Sequence, residues 1–217
     1  GETVAIVGVN GSGKTTLAKL LCGLYTPDTG KIAIGGADSA DTEPDTLYAK
    51  TSAVFQDYAC YGGLTLRENV QISDTAHPKD AEPFMRQAGC QDSLLDPEKM
   101  DTMMGRSFDG LELSGGQWQR IAMARGLYRD SDFILLDEPT ASIDPLEETR
   151  IYKMFASVAK EKTCVLITHR LGSARIADRI LVMDAGHLVE SGTHEELLQK
   201  HGLYHEMWVS AAEQYVG

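Results

Sequence analysis

The stretch Gly8-Val9-Asn10-Gly11-Ser12-Gly13-Lys14-Thr15-Thr16 carries a glycine, four intervening residues and then Gly-Lys-Thr. That spacing is a phosphate-binding loop. Phosphate oxygens have to be approached closely by several backbone N–H groups. A side chain at Gly8, Gly11 or Gly13 would block that approach or forbid the backbone angles it needs. Lys14 offers a mobile positive charge to the outer phosphates, and Thr15 offers a hydroxyl to a divalent cation.

The flanks agree with the loop. Thr3-Val4-Ala5-Ile6-Val7 is a short apolar run rich in β-branched residues, the pattern of a strand buried on both faces. Leu17, Leu20, Leu21 and Leu24 come next, at helical spacing. The spacing predicts a helix that starts inside the loop and points its positive end at the bound anion.

Composition limits the classes open to the chain. With 217 residues it can form one large α/β domain or a core with an inserted subdomain. The net charge of −12, with 20 scattered Lys and Arg residues, argues against a nucleic-acid binder. No apolar run approaches the ~20 residues that cross a bilayer, and no signal peptide is present. Cys22, Cys60, Cys90 and Cys164 lack metal-ligand spacing and read as reduced thiols. Gly1-Glu2 leads into the first strand without an initiator Met, which reads as a piece of a longer chain.

Further along, Lys31 to Ile34 reads as a strand turned by Gly35-Gly36, residues 37–50 as a short helix or loop, and Thr51 to Phe55 as a strand. Residues 58–112 are punctuated by Gly and Pro, and their apolar residues, Met85, Met100, Met103 and Met104 among them, predict small packed helices. Ser114 and Gln117 have capping-box spacing at the head of a helix running to about Leu127, with Gly115 and Gly116 inside the cap. Phe133 to Leu136 is a buried strand that ends in the carboxylate pair Asp137-Glu138 and is broken by Pro139. Thr163 to Thr168 is another, ending at His169. Carboxylates at the carboxyl end of parallel strands lie where α/β sheets bind ligands. Arg179 to Met183 and His187 to Val189 predict a hairpin, and Thr193 with Glu196 predicts another capped helix. His77, His187, His194, His201 and His205 read as surface histidines.

Taken in order, these motifs resemble the nucleotide-binding domain of ABC proteins over nearly the whole chain. Gly8 to Thr15 is similar to Walker A, Gln56 to the Q-loop, and Leu113-Ser114-Gly115-Gly116-Gln117 to the family signature. Phe133 to Asp137 is similar to Walker B with Glu138 behind it, Ala141-Ser142-Ile143-Asp144 to the D-loop, and His169 to the switch histidine. The resemblance implies a P-loop NTPase core with a mainly parallel sheet (1–57 and 128–217), an inserted helical subdomain (58–127) and a truncated antiparallel β part. It implies binding and hydrolysis of ATP with Mg²⁺. Asn10, Gly11, Ser12, Gly13, Lys14, Thr15 and Thr16 would bind the nucleotide. Thr15, Gln56 and Asp137 would serve the metal. Glu138 would be the general base, assisted by His169, Gln56 and Lys14. Ser114, Gly115, Gly116 and Gln117, with Asp144, would act on ATP held by a second such domain, in a homo- or heterodimer joined head to tail.

Leu66-Arg67-Glu68-Asn69 and the run from Gly186 to Leu197 look like bacterial exporters. The implied setting is the cytoplasmic face of the cell membrane, coupled to transmembrane domains. The alternatives are a stand-alone importer ATPase or a soluble ABC ATPase acting on nucleic acid or ribosomes. Three departures stand out, one of them Ser142-Ile143 in the D-loop, where the family often has Ala-Leu while Asp144 remains. The family's adenine-stacking aromatic would precede Gly1, and Arg106-Ser107-Phe108-Asp109-Gly110 replaces the exporters' Glu-Arg-Gly before the signature.

Overall fold

A computed structural model describes residues 1–139, 145–158 and 162–213. The chain runs β1 (Thr3–Gly8), α1 (Lys14–Leu21), β2 (Ala33–Ile34), β3 (Ala37–Asp38), α2 (Pro44–Ala49), β4 (Thr51–Val54) and α3 (Leu66–Gln71). It continues with α4 (Glu82–Gln87), α5 (Pro97–Met100), α6 (Gly115–Tyr128), β5 (Phe133–Asp137), α7 (Pro145–Val158), β6 (Thr163–Ile167) and α8 (Leu171–Ala174). It ends with β7 (Arg179–Asp184), β8 (His187–Gly192), α9 (His194–Lys200) and α10 (Leu203–Glu213). Among the described residues, no helix is long and apolar enough to cross a membrane.

Tertiary contacts divide the chain into two compact units. One comprises residues 1–53, 131–138 and 155–217, and the other residues 54–130 and 139–154.

The first unit is built on a six-stranded sheet ordered β4-β5-β6-β1-β7-β8. Strand β1 lies parallel to both β6 and β7, with Ala5 opposite Leu166 and Ile180. A strand paired on both edges and covered on both faces has to be apolar throughout, and Ala5, Ile6 and Val7 are fully buried. Strand β5 extends the parallel set beside β6. The β7–β8 hairpin closes through a two-residue turn in which both Ala185 (φ 46°) and Gly186 (φ 82°) are left-handed. That geometry matches the twist of the flanking strands. Strands β2 and β3 form a small antiparallel pair, so residues 37–50 hold a short strand as well as the expected helix.

One histidine departs from the surface reading. His194 is buried, with Nδ1 2.8 Å from the Tyr204 hydroxyl and its ring edge-on to Trp208. Burial, and then the charge of Arg175, hold its imidazole below the usual range. Tyr204 and Trp208 belong to α10, whose first N–H groups (Leu203 and Tyr204) donate to the Glu190 carboxylate. The fold of α10 over α9 buries the imidazole, and residue spacing around His194 carries no sign of it.

The second unit packs α3 and α4 against α6. Tyr128, near the end of α6, is fully buried and meets Phe84 edge-on. Met85, Met100 and Met104 fill the interior, whereas Met103 is exposed. The three buried methionines fit the packing role expected of flexible side chains. Thr65 and Glu68 close a reciprocal capping box on α3. The four cysteines are unpaired, with Cys60 exposed and the others buried.

Candidate nucleotide site

In the first unit the loop between β1 and α1 is a backbone cradle. Gly8, Gly11 and Gly13 all have positive φ (154°, 80° and 96°). A methyl group at Gly8 would lie 2.2 Å from the Met183 carbonyl oxygen, so β7 passes too close for any side chain. The turn of the β7–β8 hairpin braces the cradle, with the Gly186 N–H donating to the Ser12 carbonyl at 3.1 Å. Helix α1 starts on Gly13 with no side-chain cap and no acidic residue in its first turn. Its free N–H groups and its dipole are therefore left for an anion.

Lys14 is buried, and its ammonium donates to the carbonyls of Gly8 (3.0 Å) and Val9 (3.1 Å). Ser12 is buried as well, and its hydroxyl has no partner among the described residues. A buried hydroxyl without a partner beside bare N–H groups is what a ligand rich in acceptor oxygens would satisfy. Asn10, Gly11, Thr15 and Thr16 are exposed at the mouth of the loop.

The ends of β5 and β6 bring three more expected residues to this unit. Asp137 is 2% exposed and accepts a hydrogen bond from the Thr15 side chain. Burial raises its carboxyl above the ordinary range, Thr15 and Lys14 pull it back, and the neighbouring Glu138 adds to the rise. A hydroxyl and a carboxylate side by side are hard oxygen donors, the set that suits Mg²⁺. Glu138 has φ 48°, a left-handed backbone that is strained for a residue with a side chain. Its N–H donates to the Ile167 carbonyl, and its Oε2 lies 3.2 Å from His169 Nδ1. This contact joins residues 31 positions apart, and no spacing rule predicts it. A cavity of about 630 Å³ is lined by Gly8, Val9, Asn10, Glu138 and His169 together with Glu206 and Met207 of α10. The contribution of α10 had no motif to announce it.

The other expected residues belong to the second unit. Gln56 is exposed, two residues past the end of β4. Ser114 accepts from the Gln117 N–H at 3.3 Å, and Gln117 Oε1 accepts from the Ser114 N–H at 2.8 Å. The capping box predicted from spacing is therefore formed, and it leaves the N–H groups of Gly115 and Gly116 bare. Gln119, one turn further on, is buried and donates to the Pro139 carbonyl. Asp144 and the rest of Ala141-Ser142-Ile143-Asp144 lie outside the described residues.

A family model described as ABC transporter matches residues 1–141. The chain is 42% identical over 212 residues to the subtilin transport ATP-binding protein SpaT of Bacillus subtilis, covering 95% of this chain and 34% of that protein. It is 38% identical over 223 residues to the mycobactin import ATP-binding/permease protein IrtB of Mycolicibacterium thermoresistibile, covering 100% of this chain and 38% of the other. Among solved structures, a bacterial Atm1-family ABC exporter with ATP bound superposes with a TM-score of 0.88 at 37% identity, over 97% of this chain and 37% of that one. The chain spans about a third of the length of the curated relatives it matches.

Proposed function

The chain belongs to the ABC transporter family, and we propose that it is the ATP-hydrolysing motor of an exporter, working as a head-to-tail dimer. The observation that carries this reading is the grouping, at one end of one sheet, of an uncapped helix start, the Thr15–Asp137 pair and the Glu138–His169 pair.

In this reading the N–H groups from Asn10 to Thr16 and the ammonium of Lys14 hold the β- and γ-phosphates of ATP. Lys14 exchanges its carbonyl partners for phosphate oxygens. Thr15 and Asp137 would hold Mg²⁺, a role that the motif order also gives Gln56. The ion, when bound, neutralises charge on the phosphate oxygens. Glu138 takes a proton from the attacking water as that oxygen bonds to the γ-phosphorus and the bond to ADP breaks. His169 holds the Glu138 carboxylate in place through its Nδ1 and offers its other nitrogen to the γ-phosphate.

The signature turn serves the ATP of the partner domain. Gly115 and Gly116 have ordinary negative φ, and a methyl group on either would meet nothing within 4 Å. Glycine inside a helix costs roughly 1 kcal/mol relative to alanine. Nothing in the described part of this chain requires that cost, and a ligand approaching from outside does. Ser114, Gln117 and Asp144 would join the two glycines on the partner's nucleotide.

Export is supported by Leu66-Arg67-Glu68-Asn69 and by the likeness to a solved exporter. Import is the second reading, because one relative of this chain carries that word in its name. A stand-alone ATPase subunit fits less well, since these relatives carry the matching region as about a third of a longer chain. Transmembrane segments of such a chain would hold the motor at the cytoplasmic face of the membrane.

Glu138→Gln tests the reading. It keeps the size and position of the side chain and removes the base. ATP turnover is expected to fall at least about a hundred-fold, while ATP binding persists and traps a closed dimer. Hydrolysis at the wild-type rate would remove Glu138 from its role.

A further inference from the structure

Beyond the residues that touch nucleotide in this reading, we infer that Tyr58 is a positioning residue that ties Gln56 to the signature turn. The inference rests on the sandwich proposed above, in which Gln56 serves the chain's own ATP and Gly115 and Gly116 serve the partner's.

The Tyr58 hydroxyl donates to the Gly115 carbonyl at 2.8 Å. Gly115 is the first residue of α6, and the first bond of the helix goes from the Trp118 N–H to the carbonyl of the N-cap Ser114; a carbonyl has two lone pairs, so that of Gly115 can take the phenol as well as its own helix bond. Burial pushes the Tyr58 phenol above its ordinary range, so it stays a neutral donor at physiological pH. Gln56 is two residues away from this bond.

The adjoining segment is fastened to the same helix further along. The Arg125 guanidinium donates to the carbonyls of Ala59 (3.0 Å) and Asn69 (2.8 Å) and to the Asn69 side chain (3.3 Å). It also lies over the Tyr61 ring, 4.7 Å from the centroid. Asn69 in turn donates to the carbonyls of Tyr61 and Thr65. Residues 58–69 are therefore laced to α6 at two places ten residues apart, Gly115 and Arg125. Arg125 makes several bonds and anchors the segment. Tyr58 makes its bond at the end nearest both Gln56 and the signature glycines. A shift of Gln56 on binding nucleotide would reach the turn that faces the partner through that bond.

Tyr58→Phe in the full-length protein removes the hydroxyl alone. We expect MgADP affinity within two-fold of wild type and an unchanged Tm. We expect kcat/KM for MgATP to fall about five-fold, the worth of one hydrogen bond. Unchanged kcat/KM would overturn the proposal. So would a parallel fall in MgADP affinity and kcat/KM, which would mean that Tyr58 acts only on its own site. A lower Tm would make the bond merely structural and would overturn it too. Glu138→Gln is measured alongside. If that variant hydrolyses ATP normally, the failure lies in the underlying reading and not in Tyr58.

Discussion

Helices α1 and α6 both begin on glycine-rich turns, yet their first turns are finished differently. Helix α1 has Gly13 in the left-handed region as its N-cap and no side chain closing it. Helix α6 has Ser114 and Gln117 bonded to each other's backbone in a complete box. The glycines differ as well. Gly8 is required by the chain's own packing, and Gly11 and Gly13 by their backbone angles. Gly115 and Gly116 are required by neither. The first turn is shaped to wrap a ligand with its own backbone. The second is a rigid, finished edge kept clear of side chains, as suits a surface that presses on a ligand held elsewhere.

Breaking the second turn at its glycines is the largest test of that contrast. Gly116→Ala should leave Tm unchanged or slightly raised, because alanine favours the helix by roughly 1 kcal/mol. ATP turnover should nonetheless fall about ten-fold or more, through lost access to the γ-phosphate. A variant that is stable and fully active would show that the open space around Gly116 has no use. A smaller effect sharpens the contrast from the other side. Ser114→Ala removes the cap and should cost about 1 kcal/mol of stability in denaturant unfolding. Because α1 has no side-chain cap to lose, this sensitivity is a property of α6.

Much of this was legible in the sequence. Strands β1, β5 and β6 are buried on both faces, so their residues form continuous apolar runs, and each run leads into a chemical group at its carboxyl end: Gly8, Asp137 and His169. The capping boxes at Ser114 and Thr193 were visible because a cap is local, with both partners three residues apart. The box at Thr65 and Glu68 carried the same signal. The hidden contacts join residues far apart in the chain. Glu138 meets His169 only because β5 and β6 are neighbours in the sheet. His194 is buried only because α10 returns over it. Tyr58 reaches Gly115 across 57 residues, a stretch of short helices and long connections whose packing no periodicity encodes. The left-handed backbone of Glu138 was hidden for a related reason. It arises from how β5 ends beside Ile167, not from a residue type that prefers such angles.

The measurement that tests the central claim most directly is complementation between two impaired forms of the full-length protein. Lys14→Ala disables the binding loop, and Gly116→Ala disables the signature. If the signature serves the partner's ATP, a mixed dimer holds one intact site, formed by Lys14 of one protomer and Gly116 of the other. Mixing the two forms should then restore ATP hydrolysis well above the sum of the separate preparations. If the signature serves its own loop, every site in the mixture carries a defect, and activity that never exceeds the sum would contradict the account.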